Sequence, residues 1–154
     1  MGIAMTLQQY LDDNHVAYDV TTHKKTGCSS MTARASHVSG DSLAKGVVLK
    51  WGGTHILAVL PASRHIELDK IRGIVDGPVT LASEQEASQL FPDCEVGAVP
   101  ALGVAYKLAS VVDERLEDRD DIYFEGGDHC SLVHISGEQF DRLMYGVPHG
   151  RFSA

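Results

Sequence analysis

The sequence predicts an α/β protein of the α+β type, in which short helices surround a mixed, mainly antiparallel sheet or open barrel. Two apolar runs, 44–51 and 54–61, flank Gly52-Gly53, and such a pair is a strong β-hairpin signal. Short helical and strand-like patterns follow one another along the rest of the chain without a regular βαβ rhythm. A doubly wound parallel sheet is therefore excluded, and a mixed sheet with helices packed on it is favoured.

Helices are predicted from N-caps and from apolar periodicity. Thr6 is expected to cap the first helix, and Gly73 is expected to end the third. Ser83-Glu84-Gln85-Glu86 has the pattern of a capping box, and Ser136 is expected to cap the last helix. The expected bounds, in chain order, are 6–13, 30–40, 68–72, 83–91 and 136–144.

Strands are predicted from alternating or continuous apolar runs between turn residues. The last two form a second hairpin-like pair around Gly126-Gly127. Residues 145–154 are expected to be a loosely held tail. The expected strands are 16–22, 44–51, 54–61, 79–81, 108–112, 122–124 and 131–135.

Composition indicates one ordinary globular domain over residues 1–154. Hydrophobic residues make up 44% and charged residues 22% of the chain. No apolar stretch approaches the ~20 residues of a membrane span, and the N-terminal residues lack the pattern of a signal peptide. Three widely spaced cysteines suit a reducing cytoplasm better than a disulfide framework.

The formal net charge of −8 argues against broad binding of DNA or RNA, which rests on neutralising many phosphates. The charge is uneven, because Lys24, Lys25, Arg34, Lys45 and Lys50 lie in a segment with a single acidic residue. This segment is either a basic rim for a few phosphates or a solvated face.

Several kinds of active site are disfavoured by the motifs that the chain lacks. Its cysteines and histidines form no C-x-x-C or H-x-x-x-H pair, so no metal or other cofactor is expected. No G-x-S-x-G nucleophile elbow and no P-loop lysine follow the glycine-rich segments. Cys28 near His23 leaves open a weaker alternative, a cysteine-dependent hydrolase.

Lys45 is the most unusual residue of the predicted hairpin. Strand alternation places it on the face of Val47, Leu49 and Trp51, which is otherwise apolar. Gly46 follows it, and two loops at 97–103 and 125–129 are rich in glycine, which lets backbone amides approach a ligand closely. A lysine combined with two such loops predicts a binding pocket.

The order of short motifs resembles the YbaK / prolyl-tRNA synthetase editing-domain family, from about Met5 to Met144. The motifs are His23, Thr32-Ala33, Lys45-Gly46-Val47-Val48-Leu49, Leu57-Ala58-Val59-Leu60-Pro61, Leu68-Asp69, Leu81-Ala82-Ser83, Gly97-Ala98-Val99-Pro100-Ala101-Leu102-Gly103, Val112-Asp113 and Gly126-Gly127. The resemblance implies a mixed, partly barrel-like sheet. It also implies hydrolysis of the ester between a wrong amino acid and the 3′ end of a tRNA, commonly tRNA-Pro, in trans.

The resemblance also implies a set of site residues. Lys45 occupies the position of the family's functional strand lysine and is the candidate catalytic residue. The family's glycine-proline loop and its later Gly-Gly turn line the aminoacyl pocket. The candidate substrate-binding residues are accordingly His23, Gly46, Gly97, Val99, Pro100, Ala101, Gly103, Gly126, Gly127 and His129.

Two positions depart from the family pattern. Many members carry Thr or Asn after the lysine, where this chain has Gly46. The usual loop places proline four residues after the glycine, where this chain has Ala101, with Pro100 one residue earlier. Both changes fall on the expected pocket wall.

The expected chemistry needs no strong nucleophile, because an aminoacyl ester is already activated. A lysine with the reference pKa of ~10.4 is a cation and a poor base, so Lys45 is expected to anchor the terminal phosphate, ribose or carbonyl. The substrate's own 2′-hydroxyl would help to position water, as proposed for the family. The expected partners are mischarged tRNA and prolyl-tRNA synthetase, and no membrane or DNA partner is expected. The alternative function is that of a non-catalytic module that binds an aminoacyl or aminoacyl-nucleotide group or docks on a synthetase.

Overall fold

The computed structural model describes residues 2–26 and 29–154. Its α-helices are α1 (Met5–Asp13), α2 (Ser29–Ser36), α3 (Leu68–Val75), α4 (Glu84–Leu90) and α5 (Gly137–Leu143). Its strands are β1 (Asp19–Thr22), β2 (Leu43–Trp51), β3 (Thr54–Pro61), β4 (Val79–Leu81), β5 (Ser110–Asp113), β6 (Asp121–Glu125), β7 (Ser131–Ser136) and β8 (His149–Gly150).

The strands form a single mixed sheet in the order β1-β7-β6-β2-β3-β5-β8, and β4 pairs with β2 beside this path. Antiparallel pairs join β1 to β7, β6 to β7, β2 to β3 and β2 to β4. Parallel pairs join β2 to β6, β3 to β5 and β5 to β8. The predicted fold class, a mixed and mainly antiparallel sheet surrounded by short helices, is confirmed.

The β2–β3 hairpin is the centre of this sheet. Its turn is made by Gly52 and Gly53, of which Gly52 has a positive φ of 61°. Along the same edge, β2 pairs with β6 at residues 43–44 and with β4 at residues 49–51. Lys45 and Gly46 therefore lie in the gap between two neighbouring strands, where the edge of β2 opens toward a pocket.

Hydrophobic clusters cover both faces of the hairpin. Ala44, Val48 and Leu57 belong to the largest cluster, which α1 and α5 also bury. On the opposite face, Leu49 packs in a cluster with Ile71 of α3. A third and smaller cluster under α2 consists of Ala33, Leu43, Ala62 and Leu132. Lys45 lies on that opposite face, between the residues that pack on α2 and those that pack on α3.

Local capping signals predicted two helix starts correctly. The Ser83 side chain accepts a hydrogen bond from the Glu86 amide, and the Glu86 carboxylate accepts one from the Ser83 amide, which confirms the capping box. The Ser136 side chain accepts a hydrogen bond from the amide of Gln139 at the start of α5.

Two other predictions about helix ends are wrong. Thr6 does not cap α1, whose N-cap is Ala4; the Thr6 amide instead donates to Asp93 Oδ2 over 2.8 Å. Gly73 lies inside α3, which continues to Val75 and ends at Asp76 in a left-handed conformation. Glycine lowers helix propensity by only about 1 kcal/mol, and burial of Ile71 and Val75 offsets that cost.

The prediction of a loosely held tail at 145–154 is also wrong. β8 adds to the sheet beside β5, and Ile66 forms an antiparallel bridge with Ser153. Phe152 is fully buried in the cluster under α3. An aromatic side chain with a place in the core fixes this segment, although the segment has little regular secondary structure.

Candidate functional site

A recessed pocket opens where β2 lies between β6 and β4. It contains about 430 Å³ of empty space, measured out to its open mouth. Strand β2, helix α2, the 97–103 loop and the turn after β6 contribute its walls. The lining residues are Thr32, Leu43, Ala44, Lys45, Gly46, Gly97, Val99, Glu125 and His129.

Lys45 is the cationic residue among those that line this pocket. It is half-buried and stands opposite Leu60 in the β2–β3 ladder. The neighbours on its face of the strand, Leu43 and Val47, pack into the clusters under α2 and α3. Lys45 thus lines the pocket between two neighbours that pack into hydrophobic clusters.

Gly46 lies on the other face of the strand, where it meets the core. A Cβ atom at this position would lie 2.9 Å from Leu57 Cδ1, and Leu57 is fully buried. The pocket wall after the lysine is therefore bare backbone, and Leu57 fills the space behind it.

The glycine loop contributes its first half to the pocket. Gly97 has a positive φ of 82°, and Val99 is half-buried beside it. The second half turns inward: Pro100 and Ala101 are buried, and Gly103 begins a 3₁₀ helix packed on Ser110 and Leu57. Of the loop residues predicted to bind substrate, Gly97 and Val99 line the pocket, whereas Pro100, Ala101 and Gly103 do not.

The turn after β6 is held by its backbone. Gly126 donates to Ser131 O and accepts from the Ala4 amide, both over 2.8 Å. A Cβ at Gly126 would lie 2.7 Å from Ile3 Cγ2, and Gly127 has a φ of 118°. Neither glycine lines the pocket, and both allow the turn to pack closely.

Asp128 stabilises the same turn from within. Its carboxylate accepts hydrogen bonds from the Cys130 amide and from the amide and hydroxyl of Ser131. Burial acts to raise the pKa of Asp128, but these hydrogen bonds outweigh it and hold the pKa below its ordinary value. Asp128 is therefore a charged anchor for the turn.

His129 is held at the pocket in a left-handed conformation, with a φ of 65° that is uncommon for residues other than glycine. Its amide donates to Glu125 Oε2 over 3.3 Å, and its carbonyl accepts from the Thr26 amide over 3.2 Å. The ring atom Nε2 lies 2.7 Å from Val96 O, and because a carbonyl only accepts, Nε2 carries the hydrogen. The neutral ring then presents Nδ1 as an acceptor. Strained residues fixed in this way concentrate at functional sites.

Of the remaining predictions, His23 does not line the pocket. Its amide donates to Cys130 O, and its ring atom Nδ1 lies 2.7 Å from Lys24 O, so it supports the neighbouring turn. Cys28, the nucleophile of the weaker alternative, lies outside the described residues. Lys25 pairs with Glu95 and Lys50 with Glu86, so these members of the basic segment are partly neutralised at the surface.

Sequence reasoning gave no role to four pocket residues: Thr32, Leu43, Ala44 and Glu125. Glu125 was included in the predicted pocket only as part of the 125–129 loop. Leu43 and Ala44 directly precede Lys45, and Glu125 directly precedes the Gly-Gly turn. Thr32 belonged to the quoted motifs but received no role; it is buried, and its hydroxyl shares a hydrogen bond with Thr26. Proximity in sequence to the predicted residues was the signal that could have identified three of the four.

Two kinds of site are not found in the part of the chain that the structure describes. No group of three or more His, Cys, Asp or Glu side chains there could hold a metal ion. Among the helices of residues 2–26 and 29–154, none is both long and apolar enough to cross a membrane.

Comparison with solved structures identifies the fold. The hypothetical protein APE2540 superimposes with a TM-score of 0.85 at 20% identity, over 97% of this chain and 99% of that one. A candidate trans-editing enzyme for prolyl-tRNA synthetase superimposes with a TM-score of 0.81 at 20% identity, over 97% of this chain and 95% of that one. A candidate signal transduction protein from Marinobacter aquaeolei VT8 matches with a TM-score of 0.75 at 17% identity, over 97% of this chain and 30% of that one.

Sequence comparison identifies the family. Among curated proteins, no significant match is found. The sequence profile of the aminoacyl-tRNA editing domain matches residues 23–143, which include Lys45, the glycine loop and the turn that bears His129. The chain therefore belongs to the aminoacyl-tRNA editing domain family, the family of YbaK.

Proposed function

We propose that this protein is a trans-editing deacylase that hydrolyses the ester of misacylated tRNA, with tRNA-Pro carrying a small wrong amino acid as its substrate. One observation carries the proposal: Lys45, Gly97 and His129, from three separate parts of the chain, line one pocket. Membership in the editing-domain family supports the reaction. The likeness to a candidate trans-editing enzyme for prolyl-tRNA synthetase supports the choice of tRNA-Pro.

The proposed roles follow from the chemistry of each group. The Lys45 ammonium attracts a terminal phosphate, a ribose hydroxyl or the ester carbonyl as negative charge develops on its oxygen. Gly97 exposes backbone without a side chain, so that a small aminoacyl group can lie against the loop. The Nδ1 atom of neutral His129 can accept a hydrogen bond from water or from a ribose hydroxyl. The substrate's 2′-hydroxyl completes the positioning of the attacking water.

The proposal is tested by release of amino acid from tRNA-Pro mischarged with Ala, Cys, Ser or Thr. We expect Lys45→Ala to lower kcat/KM about 100-fold or more, because a preorganised charge at the reacting group is removed. Lys50→Ala is the matched control: it lies in the same strand, is exposed and pairs with Glu86 over 3.2 Å, so its rate should stay close to wild type.

Three outcomes would contradict parts of the proposal. Equal rates for wild type and Lys45→Ala would refute the role of Lys45. Failure of the wild type to release amino acid from any mischarged tRNA would refute the proposed deacylase activity. Tight binding of mischarged tRNA without turnover would favour the non-catalytic module instead.

A further inference from the structure

Glu125 is a pocket residue to which the proposed reaction assigns no role. It is the last residue of β6, stands opposite Leu132 in the β6–β7 ladder and is half-buried. It lines the pocket together with Lys45 and His129. A carboxylate held partly out of water has a solvation cost that a cationic partner would offset.

Hydrogen bonds hold this carboxylate in place from one side. Oε2 accepts from the Gly127 amide over 2.9 Å and from the His129 amide over 3.3 Å. Both bonds go to the same oxygen, whereas a carboxylate can accept about four hydrogen bonds. The turn thus fixes the orientation of the Glu125 carboxylate, which can still accept further hydrogen bonds from a ligand. Because the carboxylate is already oriented, binding a ligand costs less side-chain entropy.

We propose that Glu125 binds the α-ammonium group of the aminoacyl ester, so that the site takes esters of amino acids with a free α-amino group and disfavours N-acylated or deaminated ones. This inference rests on the proposed function. An aminoacyl-tRNA 3′ end has an ammonium group beside the ester carbonyl and a phosphate several bonds further away. The pocket offers both complementary charges, Glu125 for the ammonium and Lys45 for the carbonyl or phosphate.

The charge on Glu125 would make the site selective, because it disfavours esters that lack an α-ammonium group. An ester without the ammonium removes water from the carboxylate when it enters the pocket but supplies no cationic partner in exchange. A site of this kind discriminates against analogues that lack the charged group more strongly than it discriminates between small side chains. The expected substrate class is therefore defined at the α-amino group first and at the side chain second.

The test compares alanyl-tRNA-Pro with lactyl-tRNA-Pro, in which a hydroxyl replaces the ammonium at almost the same size. Glu125→Gln keeps an oxygen that can accept from Gly127 and His129 but removes the charge. We expect wild type to prefer the alanyl ester, and Glu125→Gln to lose roughly 10-fold or more in kcat/KM on that ester alone. Glu84→Gln, an exposed glutamate in the first turn of α4, is the control for loss of one carboxylate.

The outcomes separate this inference from a structural role of Glu125. Collapse of the alanyl-to-lactyl preference in Glu125→Gln supports it. An equal loss on both esters overturns it in favour of a role confined to anchoring the turn, and no loss on either overturns it outright. If wild type hydrolyses neither ester, the proposed function fails. Calorimetry with 3′-alanylamido- and 3′-lactylamido-adenosine then decides the inference, because Glu125 predicts tighter binding of the alanyl compound and equal binding overturns it.

Discussion

Gly46 is the residue at which the pocket wall and the hydrophobic core meet. A Cβ here would lie 2.9 Å from Leu57 Cδ1, and a Cβ at Gly103 would lie 3.1 Å from Leu57 Cδ2. Leu57 is therefore enclosed between two glycines and has no accessible surface into which it could move. A side chain at position 46 would therefore have to displace Leu57.

We expect Gly46→Ala to lower the free energy of unfolding by about 1–3 kcal/mol, because the added methyl group overpacks the core against Leu57. Urea unfolding measures the change. Gly53→Ala is the matched control, since a Cβ at Gly53 has open space and its φ is compatible with an L-residue.

A second substitution tests whether Leu57 is the residue that the added methyl group of Gly46→Ala would contact. In a Leu57→Val background the Cδ atoms are gone, so the added cost of Gly46→Ala should shrink markedly. If the effects of the two substitutions on the free energy of unfolding were strictly additive, the added methyl group would not contact Leu57.

The pocket residues differ in how far sequence could identify them. Alternation along an apolar strand made Lys45 conspicuous without any structure. Glu125 and Thr32 lie 80 and 13 positions away from it and reach the same pocket through pairing of β6 with β2 and packing of α2. Such long-range placement leaves no periodic signal. Pro100 and Ala101 show the reverse: a motif marked the loop correctly, but not which half of it turns inward.

At the scale of secondary structure, His134 joins three adjacent strands. Its Nδ1 lies 3.2 Å from Asp19 Oδ2 on β1, and its Nε2 lies 2.8 Å from Asp121 Oδ1 on β6. Its ring stacks on Tyr123, with the centroids 4.5 Å apart. Burial acts to lower the pKa of His134, but the hydrogen bonds to Asp121 and Asp19 outweigh it, and the pKa lies above its ordinary value.

This shift makes stability depend on pH in a stated direction. The folded protein binds the proton more tightly than the unfolded chain, whose histidine pKa is near 6.5. The stabilisation is fully present below that pH and is lost as pH rises through the raised pKa of the folded state. Both aspartates are mostly exposed, so we expect less than about 1 kcal/mol.

The measurement is the difference in unfolding free energy between wild type and His134→Gln at several pH values. The difference should be larger near pH ~5.5 than near pH ~8.5. Asp121→Asn, which removes the nearer carboxylate, should flatten this dependence. Parallel pH profiles for wild type and His134→Gln would refute the assignment.

Helix boundaries show why local patterns succeed in some places and not in others. The caps of α4 and α5 are made by Ser83 and Ser136 within the same turn, so the sequence contains the whole interaction. The start of α1 is satisfied by Asp93, 87 residues away, which no local rule can identify. α3 passes through Gly73 because tertiary burial outweighs helix propensity.

For the molecule as a whole, the C-terminal segment closes the sheet at its far edge. β8 pairs with β5, which pairs with β3 of the central hairpin. Asp113 is fully buried at this junction, where its carboxylate accepts from the amides of Arg115 and Phe152. A buried carboxylate needs such hydrogen-bond donors. Phe152 therefore donates a backbone hydrogen bond to Asp113 and also fills the core with its side chain.

We therefore expect Phe152→Ala to lower the free energy of unfolding by about 3–5 kcal/mol, since the side chain is fully buried against α3 and the substitution leaves a cavity. Tyr145→Ala is the control from the same segment: Tyr145 is 90% exposed, and its loss should change stability by less than about 0.5 kcal/mol. Chemical unfolding of both variants gives the comparison. A small and equal effect of the two substitutions would restore the picture of a loosely held tail. A large effect of Phe152→Ala alone makes the C-terminus a structural part of the sheet that holds Lys45 at its pocket.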